Sequence, residues 1–95
     1  MKGFFLIFVL LFSANASADW DEAMEAYATG DYETAIRVFN VFAEQGNDSA
    51  QYNLGVIYNG ESAIQDYKAA FHWFTKAAEQ GNDSAQHNLG RLYDN

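Results

Sequence analysis

Residues 43–51 read AEQGNDSAQ, and the same nine letters return at residues 78–86. When residues 31–60 are aligned with residues 66–95, 17 of the 30 positions are identical, so the chain contains a repeat with a period of 35 residues. A period of this length is typical of architectures in which each unit is one supersecondary element that packs against its neighbours. The repeat therefore decides the fold class.

Each unit is predicted to be a helix, a turn and a second helix. Apolar side chains at helical spacing run up to the first residue of each copy of the motif: Tyr32, Ala35, Ile36, Phe39, Phe42 and Ala43, then Tyr67, Ala70, Phe71, Phe74, Ala77 and Ala78. Gly46 and Gly81 follow these runs and suit the left-handed residue that ends a helix. Asp48 and Asp83 each stand three residues before a glutamine, which predicts a capping box at the start of the next helix.

The complete pattern predicts an all-α fold, a short right-handed α-solenoid of antiparallel helical hairpins. The five predicted helices cover residues 19–29, 31–45, 48–59, 66–79 and 83–93. Gly55 and Gly90 lie inside helices at a cost of roughly 1 kcal/mol against alanine, a cost that is tolerable if the missing side chain lets a neighbouring helix approach closely. The aromatic side chains of Phe71, Trp73 and Phe74 are predicted to belong to the core.

The first 18 residues have the composition of a secretory signal peptide. Lys2 precedes an unbroken apolar run over residues 4–12, and residues 16–18 read ASA, a small-residue cleavage pattern. The run is shorter than the roughly 20 apolar residues that a spanning helix needs. We therefore expect a signal peptide over 1–18 and a repeat domain over 19–95, with units 19–46, 47–81 and an incomplete 82–95. The expected location is the bacterial periplasm, or the secreted fraction.

Composition and motifs exclude several kinds of chemistry. Because the chain has no cysteine, it has no disulfide, thiolate metal site or catalytic thiol. Its formal net charge of -8 disfavours binding to nucleic acid or, in the mature form, to a membrane surface. His72 and His87 lack a partner at metal-ligand spacing, and no phosphate-loop, nucleophile-elbow or zinc-protease motif occurs. The sequence predicts no catalytic residue, no cofactor and no metal.

Two stretches carry a family resemblance. Residues 50–60, AQYNLGVIYNG, and residues 66–81, DYKAAFHWFTKAAEQG, resemble Sel1-like repeats, which are related to tetratricopeptide repeats. Residues 26–35, AYATGDYETA, are more similar to a tetratricopeptide unit. The resemblance implies that the first helix of each hairpin lines a concave face. The partner-binding residues that it assigns there are Trp20, Met24, Tyr27, Tyr52, Val56, Asn59, His87, Arg91 and Asp94.

Three of these positions differ between units that are otherwise nearly identical: Tyr52 and His87, Val56 and Arg91, Asn59 and Asp94. Variation on one face of a constant scaffold is expected of a recognition surface. It is equally expected of surface positions under no constraint, and both interpretations stay open.

Together with the expected signal peptide, the resemblance implies an exported adaptor or scaffold that binds a protein or peptide partner on its concave face or on its open last helix. A second copy of the chain is another expected occupant of that helix. Some cysteine-rich secreted relatives are described as β-lactamase-like hydrolases, but they depend on disulfides that this chain cannot form. A dedicated sequestering or immunity-type protein, and a truncated piece of a longer repeat protein, are the remaining alternatives.

Overall fold

The computed structural model of the chain describes residues 19–60 and 62–94. These residues contain five helices and no strand: α1 over residues 19–29, α2 Tyr32–Glu44, α3 Asp48–Asn59, α4 Tyr67–Glu79 and α5 Asp83–Asp94. The all-α prediction is confirmed, with helix ends within one residue of those expected. None of the described helices is long and apolar enough to cross a membrane. The predicted signal peptide lies outside the described residues.

The chain divides into two compact units, with the boundary inside α2 between Val38 and Phe39. In the first unit, Gly30 connects α1 to α2 with a left-handed φ of 84°. The backbone N–H of Asp31 donates to the carbonyl of Ala26 at 2.8 Å, which closes the turn. Glycine suits this connection because a side chain at positive φ would clash with the backbone.

In the second unit, both copies of the repeated motif form tight connections between helices. Gly46 and Gly81 have φ angles of 95° and 91°, as predicted for left-handed residues that end helices. The side chain of Asn47 accepts a hydrogen bond from the N–H of Ala50 at 2.9 Å. The equivalent bond in the second copy, from Ala85 to Asn82, is 2.8 Å long. Asparagine therefore caps both α3 and α5.

The capping boxes predicted at Asp48 and Asp83 are wrong by one residue. Both aspartates are already the first helical residues, where a negative charge is favourable near the helix N-terminus. Because the preceding asparagine satisfies the free backbone N–H, the glutamines are available for other bonds. Gln51 donates to the carbonyl of Ala43 at 3.1 Å.

The core of the second unit is built around α4, which packs against both α3 and α5. Phe74 is completely buried, and so are Ala70 and Ala77 on the same stripe of the helix. A Cβ atom built on Gly55 of α3 would lie 2.5 Å from ring carbons of Phe74. The bare backbone of Gly55 therefore allows α4 to come close, so the condition under which a helical glycine is tolerable is met at Gly55 but not at Gly90.

The aromatic residues of α4 divide between core and surface. Trp73 and Phe74 are buried, so their predicted core role is confirmed. The prediction is wrong for Phe71, which is 38% exposed and makes an edge contact with the ring of Tyr93 at 5.3 Å. The reason is geometric: Phe71 lies about 100° around the helix from Ala70, at the edge of the buried stripe.

Replacing Phe74 with alanine should lower the free energy of unfolding by about 3–5 kcal/mol, because it leaves a cavity between α3 and α4. Phe71→Ala is the matched control, with an expected loss of about 1.5 kcal/mol or less, since it removes an exposed ring pair. Urea denaturation of both variants measures the difference. Equal losses would contradict the assignment of Phe74 to the core.

Candidate interaction surface

The nine predicted partner-binding residues lie on three helices in two units. Trp20, Met24 and Tyr27 are on α1 in the first unit. The other six are on α3 and α5 in the second unit, at positions 35 residues apart: Tyr52, Val56 and Asn59, then His87, Arg91 and Asp94. The structure therefore gives one set for the first unit and two equivalent sets for the second.

On α1, the predicted residues flank a buried stripe of alanine. Ala23 and Ala26 are buried, Met24 is exposed, and Trp20 and Tyr27 are half-buried. The ring of Tyr27 lies 6.0 Å from the ring of Tyr32 on α2, so this side chain also supports the first hairpin.

On α3, the predicted residues take part in the core of the second unit. Tyr52 and Val56 are half-buried and pack against the cluster that contains Phe74. The rings of Tyr52 and Phe74 are 5.9 Å apart. Asn59 is half-buried at the end of the helix. Because Tyr52 and Val56 hold α4 in place, replacing them would change stability and binding together.

On α5, the equivalent set is exposed. His87, Arg91 and Asp94 all lie on the surface. The difference from α3 arises because a helix, α4, covers Tyr52 and Val56, whereas no described helix covers His87 and Arg91. The same three positions are thus structural in one copy of the repeat and available to solvent in the other.

The comparison extends to residues that are identical in the two copies. Leu54 is fully buried on α3, whereas its equivalent Leu89 is half-buried. Gly55 is buried against Phe74, whereas a Cβ atom built on Gly90 would meet nothing within 4 Å. We call the exposed residues that correspond to the α4-binding side of α3 the α5 face: Gln86, His87, Gly90 and Arg91.

A set of side-chain amides joins the end of α4 to the start of α3. Gln51 is only 4% exposed, and its carbonyl oxygen accepts a hydrogen bond from the amide of Gln80 at 2.9 Å. The Gln80 amide also donates to the backbone carbonyl of Gly46 at 2.9 Å. The amide of Asn82 donates to the carboxylate of Asp48 at 2.9 Å. Four side chains and one carbonyl therefore fix the register of the repeat.

Sequence reasoning missed this amide set, although its signal was present. All of its members occur in both copies of the repeated motif. One unit further along, Gly81, Asp83 and Gln86 are the equivalents of Gly46, Asp48 and Gln51. In the described part of the chain, no side-chain amide donates to these three residues in the way that Gln80 and Asn82 donate to their equivalents.

Other polar groups do not form a recognisable chemical site. The lining of a shallow depression in the first unit includes four acidic residues and one cation: Asp21, Glu22, Glu25, Asp31 and Arg37. Across residues 19–60 and 62–94, no three histidine or acidic side chains are grouped as metal ligands. His72 is exposed, and its ring makes an edge contact with Trp73 at 4.8 Å.

Comparison with known families gives a match over the second unit. The family model described as Sel1 repeat matches residues 48–82 and 83–95, which together include α3, α4 and α5. No curated protein and no solved structure matches the chain. The similarity of residues 26–35 to a tetratricopeptide unit stays a prediction.

Exchanging the two helical glycines for alanine should have opposite effects. Gly55→Ala forces a methyl group into the ring of Phe74, and overpacking of this kind costs about 1–3 kcal/mol. Gly90→Ala meets no neighbour and should stabilise the protein by about 0.5–1 kcal/mol through helix propensity. Thermal unfolding of the two variants measures the sign of each change in stability. A loss of stability for Gly90→Ala equal to that for Gly55→Ala would show that α5 is covered in the same way as α3.

Gln51→Ala should cost about 1–3 kcal/mol, because it removes two hydrogen bonds of a buried amide, the one to the carbonyl of Ala43 and the one from the amide of Gln80, at about 0.5–1.5 kcal/mol each. Gln86→Ala removes the equivalent bond to Ala78, but there both the glutamine and its bond are exposed. A change within about 0.5 kcal/mol is therefore expected for Gln86→Ala. The urea midpoints of the two variants test whether the contribution of each glutamine to stability depends on its burial, since the two occupy the same position in the repeat.

Proposed function

Because the chain belongs to the Sel1 repeat family, we propose that it is an exported adaptor that binds a protein partner through the α5 face. Sel1 repeats form helical solenoids that generally mediate protein–protein interaction, and the family is typically non-enzymatic. Export is supported by the sequence of residues 1–18, in which a charged start, an apolar run and a small-residue site occur in order.

The observation that carries the proposal is the difference between α3 and α5. On α3, the side that contains Gly55 binds another helix, α4. On α5, the same side contains Gly90 and is exposed throughout. A surface already built to receive a helix, with no described helix on it, is the best candidate for recognition of a partner.

Apolar and polar side chains surround this face in the way expected of an interface. Tyr93 on α5 is 70% exposed and lies edge-on to Phe71 on α4, which is 38% exposed, so both rings are accessible. His87, Arg91 and Asp94 add hydrogen-bonding and charged groups. Accessible aromatic side chains together with arginine are enriched at protein interfaces.

The α5 face is a better candidate than the α3 part of the predicted concave surface. Tyr52 and Val56 are already in contact with the core cluster of the second unit, so a partner could reach only their outer edges. On α5, the predicted concave residues His87 and Arg91 belong to the open face itself. The two sites proposed from the sequence therefore coincide on this helix.

The full chain with a C-terminal tag, expressed in a bacterial cell, should be found in the periplasmic fraction with a mass reduced by residues 1–18. Partners are then crosslinked and identified by mass spectrometry. The combined variant His87→Ala, Arg91→Ala and Asp94→Ala should lose the partner while remaining folded, since exposed substitutions usually change stability by about 0.5 kcal/mol or less.

The matched control is the combined variant His72→Ala, Lys76→Ala and Glu79→Ala on α4. These residues are also exposed and have the same spacing as the α5 set. Their replacement likewise removes one histidine, one cation and one carboxylate. The cation of each set lies in the last turn of its helix, so effects on the helix dipole are also matched. Retention of the tag in the cytoplasm would contradict export, and equal partner loss for both variants would contradict the assignment to α5.

A further inference from the structure

Within the repeat, the packing of α4 on α3 shows which contacts this scaffold uses to bind a helix. The first helix of the unit, α3, receives α4 through three kinds of contact. The ring of Phe74 lies on the bare backbone of Gly55. The ring of Tyr52 flanks it at 5.9 Å. Beyond the end of α4, the amides of Gln80 and Asn82 donate to acceptors at the start of α3.

Every acceptor in that arrangement is present again on α5 or just before it. Gly90 repeats Gly55, and its open side has room for a ring, since a Cβ atom there meets nothing within 4 Å. Gly81, Asp83 and Gln86 repeat the residues that receive the amides. Gln86 already donates to Ala78 at 3.2 Å, as Gln51 does to Ala43, so its side chain is held in the corresponding orientation.

From this correspondence we infer that the α5 face binds one helix of a different protein, with the sequence pattern of α4. That helix carries an aromatic residue that lies on Gly90. It ends in a glutamine and, two residues later, an asparagine, which donate to the groups around Gln86 and Asp83. The inference rests on the proposed function and specifies the chemistry of its partner.

Two differences between the copies of the repeat indicate which side chain the partner helix places on Gly90. His87 stands in the place of Tyr52, and Arg91 stands in the place of Val56, beside the position of the ring. Arginine attracts the face of an aromatic ring through cation–π contact and stacks on it, which an aliphatic side chain does not offer. An aromatic side chain is therefore selected over leucine or isoleucine at this point.

The same substitutions indicate a partner that is sometimes absent. Tyr52 and Val56 are largely apolar, and they are packed against the core cluster of their own unit. His87 and Arg91 are well solvated when the face is exposed and still contact a ring when it is covered. This is the composition expected where the free protein must remain soluble.

A second copy of the chain does not supply this helix. The pattern occurs twice in the sequence, on α2 and α4, but Phe39 and Phe74 are both completely buried in their own fold. Neither ring is available to another molecule unless the donor unfolds. The net charge of -8 also makes two copies repel each other.

The test uses a synthetic peptide with the sequence of residues 67–82, crosslinked between the exposed positions 68 and 72 because short isolated helices are marginally stable. The protein is the processed chain labelled with ¹⁵N. Saturable binding is expected, with the largest amide shifts at Gly81, Asp83, Gln86 and Gly90. A peptide with the change corresponding to Phe74→Ala should bind at least about tenfold more weakly.

The Gly90→Ala protein provides the decisive comparison. Its added methyl group occupies the place of the ring, so affinity for the peptide should fall about tenfold or more, while thermal unfolding shows an intact fold. Arg91→Ala should reduce affinity by about two- to fivefold through loss of the cation–π contact. Because α3 is unchanged in both variants, these losses also distinguish binding at α5 from exchange of the peptide for α4.

Three results would overturn the inference: no binding of the crosslinked peptide, binding that Gly90→Ala leaves unchanged, or concentration-dependent dimers in sedimentation that Gly90→Ala abolishes. The last result would identify a second copy as the occupant. If the α5 variants still fail to capture the cellular partner while the peptide does not bind, the proposed adaptor function stands and the partner is not of the α4 type.

Discussion

The ring of Phe74 lies against a part of α3 that has no side chain, because residue 55 is glycine. A helical glycine costs about 1 kcal/mol relative to alanine, whereas complete burial of a phenylalanine side chain contributes about 1.5–3 kcal/mol. The contact is therefore favourable overall, but only while the ring occupies the space. This one contact sets the distance between α3 and α4 and brings Tyr52 and Val56 within reach of the core.

The side-chain amides at the ends of the helices fix the position of α4 along α3, which the apolar contact alone does not. Hydrophobic burial by itself would tolerate small shifts of α4 along α3, because it depends mainly on area. Gln51 is buried between the carbonyl of Ala43 and the amide of Gln80, and a shift of α4 would leave the side-chain oxygen of Gln51 without its donor. Since an unsatisfied buried polar group costs about 1–3 kcal/mol, the amides select one register. The repeated motif is thus both the connection between helices and the device that aligns them.

A repeat built in this way presents a binding surface wherever one of its units is not covered. The residues that make α3 a receptor for α4 are core residues when they are covered, and in the proposed function their exposed equivalents on α5 form the recognition surface. The proposed function needs no catalytic constellation, because in it specificity comes from the shape around Gly90 and from the charge of Arg91. The Sel1 repeat is in this sense a scaffold whose function depends on what its exposed face can receive.

The sequence determined the helices of this protein and the turns between them. Helical spacing predicted all five described helices, and left-handed glycines were expected and found at Gly46 and Gly81. These features depend on interactions within a few residues, so they can be predicted locally. The capping boxes failed because Asn47 and Asp48 are both good caps, and local sequence does not decide between them.

Only the tertiary structure decided which of two identical residues is buried. Gly55 and Gly90 both follow an Asn-Leu pair in helices of the same repeat, yet one touches a ring and the other is open. Gln51 and Gln86 make the same bond to the preceding helix, but one is buried and the other exposed. Burial depends on which helix lies opposite, a contact between residues far apart in the chain. The 35-residue repeat therefore encodes the same helix-binding side on α3 and on α5, and tertiary packing determines which of the two is covered.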